Sequence, residues 1–295
     1  MKLAEREAVQ DAALGNPAFT ELAHRFIAGD DPGQVVACAE QQNSYGLLGL
    51  PALVGSLTPD APLADDNVDA ILNVIDRLRP SRELNEISLL PALFGLADGI
   101  AAARPRLTTL VRAASDAGVK VTLDMGPVDQ IDATLQLFAE LRANAPTLGI
   151  ALQTRLLRTK DDVRALAPLG ARVRLCAGAF PVSSGEGVSS RQQSDLAFVT
   201  CLRTLMESPS YPMVATHDKR LIPIAEELAD RSGRTVEEYE FQMLYGFRTL
   251  EQRRLADTGH RSRVYLPFGR DWYDYISRRV AARPFSWLRT LWTSR

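Results

Sequence analysis

The stretch Arg263-Val264-Tyr265-Leu266-Pro267-Phe268-Gly269-Arg270-Asp271-Trp272-Tyr273-Asp274-Tyr275-Ile276-Ser277-Arg278-Arg279 contains one complete strand-to-helix unit. It reads as a short strand, a Pro/Gly turn and then a helix expected to open at Asp271. On that helix Tyr275, Arg278 and Arg279 stand at i, i+3 and i+4, so they share one face. Two adjacent guanidiniums beside an aromatic ring suit bidentate capture of a small carboxylate. A solvated, basic last helix would show the same spacing.

Working outward, seven further apolar runs precede this one: Tyr45–Val54, Glu86–Leu90, Lys120–Leu123, Gly149–Gln153, Arg172–Cys176, Met213–Thr216 and Tyr239–Met243. Amphipathic helical patterns separate them, among them Asp66–Leu78, Asp129–Arg142, Gln193–Met206, Lys219–Arg231 and Thr249–Thr258. Eight strand-like runs alternating with helices predict parallel βα units that close into a (β/α)8 barrel. A helical segment through about residue 42 precedes the barrel, and no linker divides residues 1–295, so one domain is expected. Pro51 and Pro91 make the first two strands the least regular. The Ser/Gly-rich piece Val182–Ser190 is expected to form a mobile loop after the fifth strand.

Composition sets the class. The chain of 295 residues is 46% hydrophobic and 24% charged, enough to bury a large core. Its net charge of -2 argues against a nucleic-acid partner. Cys38, Cys176 and Cys201 show no CxxC spacing, which fits a reducing compartment without a disulfide framework or zinc site. His24, His217 and His260 form no metal-binding spacing. Neither GxGxxG nor GxxxxGK[ST] occurs, which removes the usual dinucleotide and P-loop sites. No apolar run is long enough for a membrane span, so a cytoplasmic protein is expected, peripheral at most to the inner face of the membrane.

Several runs end in polar or glycine-containing clusters: Asp124-Met125, Gln153, Gly178-Ala179, Thr216-His217-Asp218 and Gln242. In a barrel of this kind the strand C-termini form the active-site face. Arg174 lies inside an otherwise apolar run and therefore needs an anionic or hydrogen-bonding partner.

Three segments in order, Val214-Ala215-Thr216-His217-Asp218, Glu240-Phe241-Gln242-Met243-Leu244-Tyr245-Gly246 and the Tyr265-to-Arg279 stretch, resemble the proline dehydrogenase family, monofunctional bacterial type. Weaker matches are Val121–Met125, Ala151–Gln153 and Arg172–Phe180. The resemblance implies a distorted (β/α)8 barrel and FAD-dependent oxidation of L-proline to 1-pyrroline-5-carboxylate. A membrane quinone is the implied electron acceptor. It further implies that Arg278 and Arg279 clamp the substrate carboxylate, that Tyr275 and Tyr265 shape the pocket, and that Asp124 sits beside the substrate. Gln153, Arg174, Thr216 and His217 would contact FAD, with Arg174 near the flavin N5. The backbone around Ala177, Gly178 and Ala179 would approach the pyrophosphate, and Met125 would lie against the flavin or else belong to the core. Gln242 and Met243 are expected to pack the barrel.

The departures fall inside this site. The family's lysine after Ile87-Ser88-Leu89 is Leu90, and the lysine before Gly178 is Ala177. The tyrosine after Ala179 is Phe180, and the acidic residue after Asp124-Met125 is replaced by Gly126-Pro127. After Gln153 the usual Ala-Tyr is Thr154-Arg155. Losing the Ala177 cation is expected to weaken FAD binding by about 1–3 kcal/mol. Asp124, without a lysine at Leu90, is expected to protonate, find another cation, or meet one on the ligand. Three readings follow: a working proline dehydrogenase, a flavoenzyme of the same family acting on another cyclic or cationic amine, or a non-catalytic paralogue. Beyond the last helix, Trp287, Leu288, Leu291 and Trp292 recur at helical spacing and suit packing or an interfacial position.

Overall fold

In the computed structural model, residues 17–78, 85–178, 180–183, 185–188 and 190–282 are described. Expectations for residues 1–16, for Ala179 and for the segment Trp287–Trp292 lie outside them. The described residues form a closed barrel of eight parallel strands in sequence order. These are β1 (Leu48–Leu53), β2 (Glu86–Leu89), β3 (Lys120–Leu123), β4 (Gly149–Gln153), β5 (Arg172–Cys176), β6 (Tyr211–Ala215), β7 (Glu240–Leu244) and β8 (Ser262–Phe268). Closure rests on the β1–β8 ladder, which pairs Leu48 with Arg263 through Leu53 with Phe268.

Two helices come first, α1 (Pro17–His24) and α2 (Pro32–Ser44). One helix then follows each strand: α3 (Ala61–Leu78), α4 (Ile100–Asp116), α5 (Ile131–Arg142), α6 (Thr159–Leu166), α7 (Arg191–Met206), α8 (Leu221–Arg231), α9 (Thr249–Asp257) and α10 (Tyr273–Ala282). Local signals fix several starts. Asp31 accepts the Gln34 N–H at 3.0 Å with Pro32 behind it, and Ser190 accepts the Gln193 N–H at 3.2 Å. On α3 the buried residues Ala64, Ile71, Val74, Ile75 and Leu78 keep helical spacing, so one face packs on the barrel.

Each expected run overlaps a strand, with differences that have local causes. Beside Pro51, which has no N–H to donate, the β1–β2 ladder shrinks to one pairing, Ala52 with Ser88. Pro91 opens a short 3-10 turn, and β2 stops at Leu89. The last helix begins at Tyr273, two residues later than expected. There the Gly269 N–H donates to the Gly29 carbonyl at 3.0 Å, and the turn continues through Trp272. Described residues of the 182–190 loop bond to the loop after β4: Leu157 donates to Glu186 at 2.9 Å and Val188 to Arg155 at 2.8 Å.

The barrel's period of two divides its residues by face. Ile87, Leu89, Val121, Leu123, Ile150, Leu152, Val173, Leu175, Val214, Phe241, Val264 and Leu266 join the apolar core. Between them, the interior of the barrel carries polar residues in two layers. The lower layer, at the strand starts, is a buried ion cluster in which Arg172 Nε lacks a hydrogen-bond partner among the described residues. Arg263 grips Glu240 at 2.8 and 3.1 Å, and Arg172 Nη2 donates to Glu86 at 2.5 Å. Thr122 adds a 2.5 Å bond to Glu86. Gly149 makes room for it, since a Cβ there would stand 2.6 Å from the Thr122 hydroxyl. Burial alone would raise the Glu240 carboxyl, yet Arg263 holds it down at about 2. Among the described residues no helix is long and apolar enough to cross a membrane.

Candidate active site

The upper layer opens at the strand C-termini. Asp124 leaves β3 with its N–H donating to Leu89 O at 2.8 Å. Its carboxylate pairs with Arg174 Nη1 and accepts the Tyr265 hydroxyl at 2.8 Å. Arg174 is 4% exposed. Its Nε donates to Gln242 Oε1 at 2.6 Å, and Nη1 also reaches Ser88 Oγ at 2.8 Å. Nη2 has no hydrogen-bond partner among the described residues. The Tyr265 ring lies 5.7 Å from this guanidinium. Burial first, and Asp124 second, push the Tyr265 phenol well above its ordinary value, so it remains a protonated donor.

This arrangement selects among the outcomes expected for Asp124, which finds another cation inside the chain. Asp124 is neither unpaired nor waiting for a ligand cation; Arg174, two strands away, supplies the charge. Leu90 occupies a different wall, packed on the core and close to Gly126, where an added Cβ would lie 3.5 Å from Leu90 Cδ1. Leu90 and Gly126 thus make an apolar patch. Met125 is buried within the main core.

A second group lies at the ends of β4 and β5. Gln153 is 2% exposed, and neither end of its amide has a partner among the described residues; the same holds for the Thr154 hydroxyl. A buried amide with both ends unsatisfied is costly unless a ligand completes it. Gly178, at φ +103°, passes so close that a Cβ would fall 2.3 Å from Gln153 Oε1. Beside it, Ala177 O accepts the Arg155 N–H at 3.3 Å. Thr216 Oγ1 accepts the Asp218 N–H at 3.1 Å. The His217 ring accepts the Leu244 N–H through Nε2 at 2.9 Å, which fastens it to β7.

The third group is α10. A small apolar cluster of Ala23, Phe26, Ile27, Val54, Phe247, Trp272, Tyr275 and Ile276 seats this helix over the mouth. The N-terminal segment therefore helps to place the arginine pair. Arg279 stacks over Tyr275 at 5.2 Å, while Arg278 lies 5.7 Å from the Phe180 ring. Neither has an ion-pair partner among the described residues. Burial lowers Arg278 from its ordinary value, and burial raises the Tyr275 phenol and the Cys176 thiol. The mouth thus carries Arg174 paired with Asp124 and, on α10, two further guanidiniums without ion-pair partners among the described residues, a field that suits an anionic ligand.

Sequence reasoning did not identify Ser88 as a contact and assigned Gln242 to packing, whereas both hold Arg174. The lower ion cluster was also missed. Its signal was present as polar residues two apart at Glu86/Ser88, Thr122/Asp124, Arg172/Arg174, Glu240/Gln242 and Arg263/Tyr265.

Fold and site together define an α/β barrel with a cationic, ligand-ready mouth at the strand C-termini. A family model described as proline dehydrogenase matches residues 187–281. Proline dehydrogenase 1 of Bacillus subtilis is 30% identical over 262 residues, covering 89% of this chain and 87% of that protein. The proline dehydrogenase of Deinococcus radiodurans is 28% identical over 289 residues, 96% of this chain and 93% of that one. The chain belongs to the proline dehydrogenase family. Among solved structures, proline utilization A from Bdellovibrio bacteriovorus, inactivated by N-propargylglycine, superposes with a TM-score of 0.83 at 22% identity. That likeness covers 92% of this chain and 34% of the larger one, so this chain spans about a third of its length. Membership implies a flavin cofactor. The unsatisfied Gln153 amide, the close approach at Gly178 and the unbonded Arg174 Nη2 fit such a group.

Proposed function

We propose that this protein oxidises L-proline to 1-pyrroline-5-carboxylate, with FAD as its flavin. The observation that carries the reading is Arg174: a buried guanidinium held on two sides, with Nη2 left unbonded among the described residues at the mouth. Gln153, Gly178, Thr216 and His217 would hold the cofactor, with Arg174 beside its ring and the Ala177–Gly178 backbone near the pyrophosphate. Arg278 and Arg279 bind the substrate carboxylate, while Tyr275 and Tyr265 shape the space for the ring. Oxidation breaks the proline C5–H bond, releases the nitrogen's proton and forms C5=N; flavin, when bound, takes up the hydride. The clamp fixes the ring's orientation before that bond breaks. Arg174 contributes a fixed positive charge that favours electron-rich products in a site shielded from water. Electrons would pass on to a membrane quinone.

An altered, cationic substrate would need an uncompensated Asp124. With Arg174 supplying that charge, L-proline is the preferred substrate. Ala177 leaves the phosphate region one cation short, so FAD should bind non-covalently and dissociate in part on purification. Titrating apo-protein with FAD and then bleaching it anaerobically with L-proline tests both halves. Saturable quenching followed by bleaching supports the reading. Absence of saturable binding at high micromolar FAD overturns it.

A further inference from the structure

Gln242 is 3% exposed and lies between the two polar layers of the barrel. Its Nε2 donates to Glu240 Oε1 at 2.5 Å, and its Oε1 accepts from Arg174 Nε at 2.6 Å. Glu240 can only accept and Arg174 can only donate, so one amide orientation satisfies both partners. The flipped amide would turn a carbonyl toward a carboxylate and an NH2 toward a guanidinium. Glu240 is itself fixed by Arg263 from the strand next to it. A continuous chain therefore runs from the buried ion cluster through Gln242 to Arg174, and on to Asp124 and Tyr265.

We propose that Gln242 is a positioning residue of the active site: it locks the Arg174 guanidinium so that Nη1 serves Asp124 and Ser88 while Nη2 faces the cofactor ring. The proposal rests on the flavin reading above and extends it to a residue that touches neither substrate nor cofactor. Without Gln242, Arg174 Nε is buried with no acceptor, and the guanidinium turns to recover one. A fixed charge displaced by a fraction of an ångström loses much of its effect on a developing charge.

The test compares Gln242→Met, which keeps volume and removes both hydrogen bonds, with Tyr211→Phe. The latter removes a 3.3 Å bond to Glu240 in the lower layer without touching Gln242. Gln242→Met should lower the preference for reduced over oxidised flavin about tenfold, a fall of about 30 mV in the two-electron midpoint. Its kcat should fall about tenfold with KM for proline within about twofold, because the arginine clamp is intact. Tyr211→Phe should lower Tm and leave the midpoint in place. In the parent apo-protein, side-chain NMR should find the Arg174 Nε–H protected from solvent exchange, and Gln242→Met should lose that protection. An unchanged midpoint in a flavin-loaded Gln242→Met protein, an equal shift in Tyr211→Phe, or a freely exchanging Nε–H in the parent each overturns the proposal. Because the exchange measurement needs no flavin, it tests the positioning even if the cofactor reading itself fails.

Discussion

Arg172 and Arg174 stand two residues apart on β5, both buried and both pointing into the barrel, yet their surroundings differ. Arg172 pairs with Glu86, a carboxylate with no exposure, and lies over the Tyr211 ring at 4.6 Å. Around it, Glu86, Glu240, Arg263 and Thr122 answer one another inside the chain. Arg174 is held as firmly, but more is left open at its level: its own Nη2 and both ends of the nearby Gln153 amide lack partners among the described residues, against Arg172 Nε in the lower layer. Arg278 and Arg279 lack ion-pair partners there as well. The difference separates a charge that serves the fold from one that serves a ligand. Burial and residue type are the same; what differs is how much of the hydrogen-bonding inventory is left open and where, one Arg172 nitrogen at the strand starts against Arg174 Nη2 and a whole Gln153 amide at the strand C-termini.

The largest effect expected at the mouth comes from the clamp. Arg279→Ala removes charge-assisted bonds to a carboxylate, and kcat/KM for L-proline should fall by roughly 10^3. Thermal stability should change little, because no ion pair of the described fold is lost. A variant that oxidised proline at the parent rate would show that α10 belongs with the structural half of the molecule.

The lower layer should declare itself in acid. Glu240 titrates at about 2 in the fold, below its ordinary value of 4.5, because Arg263 outweighs the effect of burial. A depressed carboxylate contributes stability above its unfolded pKa and loses it as pH falls toward the folded one. Stability should therefore drop between about pH 4.5 and 2, by at most about 1.4 kcal/mol per pH unit for this group. Urea unfolding at stepped pH measures this. The slope should be much reduced in Arg263→Met.

The smallest effect sharpens the comparison. Asp124 already has Arg174, so Leu90→Lys adds a cation where the carboxylate is no longer in need of one. Proline kcat/KM should change by less than about tenfold, equivalent to about 1.4 kcal/mol. A larger gain would mean that Arg174 only partly compensates Asp124.

Much of the fold was legible because parallel strands covered by helices read as apolar runs, and each of the eight runs overlaps a strand. Strand ends were less legible. On β7 and β8 the inward residues Glu240, Arg263 and Tyr265 are polar or aromatic and interrupt the apolar signal. The strand-end positions of Asp124, Gln153, Thr216 and His217 could be read from spacing, because each follows or ends an apolar run. Their roles came from the family resemblance. The Asp124–Arg174–Gln242 chain could not be read that way, since it joins β3, β5 and β7 across the barrel interior. Substitution at Leu90 suggested a missing charge, whereas its replacement came from a residue already in place on another strand.

The most direct test sets Arg172→Met against Arg174→Met in parallel preparations, measuring Tm and the anaerobic rate of flavin reduction by L-proline. Arg172→Met uncovers Glu86 and should cost about 3 kcal/mol or more, lowering Tm by about 6 °C or more, with the reduction rate within about threefold of the parent. Arg174→Met should lose less stability, because Asp124 lies nearer solvent, and should slow reduction by about 10^2 or more. Equal loss of rate in the two variants, or a parental rate in Arg174→Met, would contradict the division between a structural lower layer and a ligand-binding mouth.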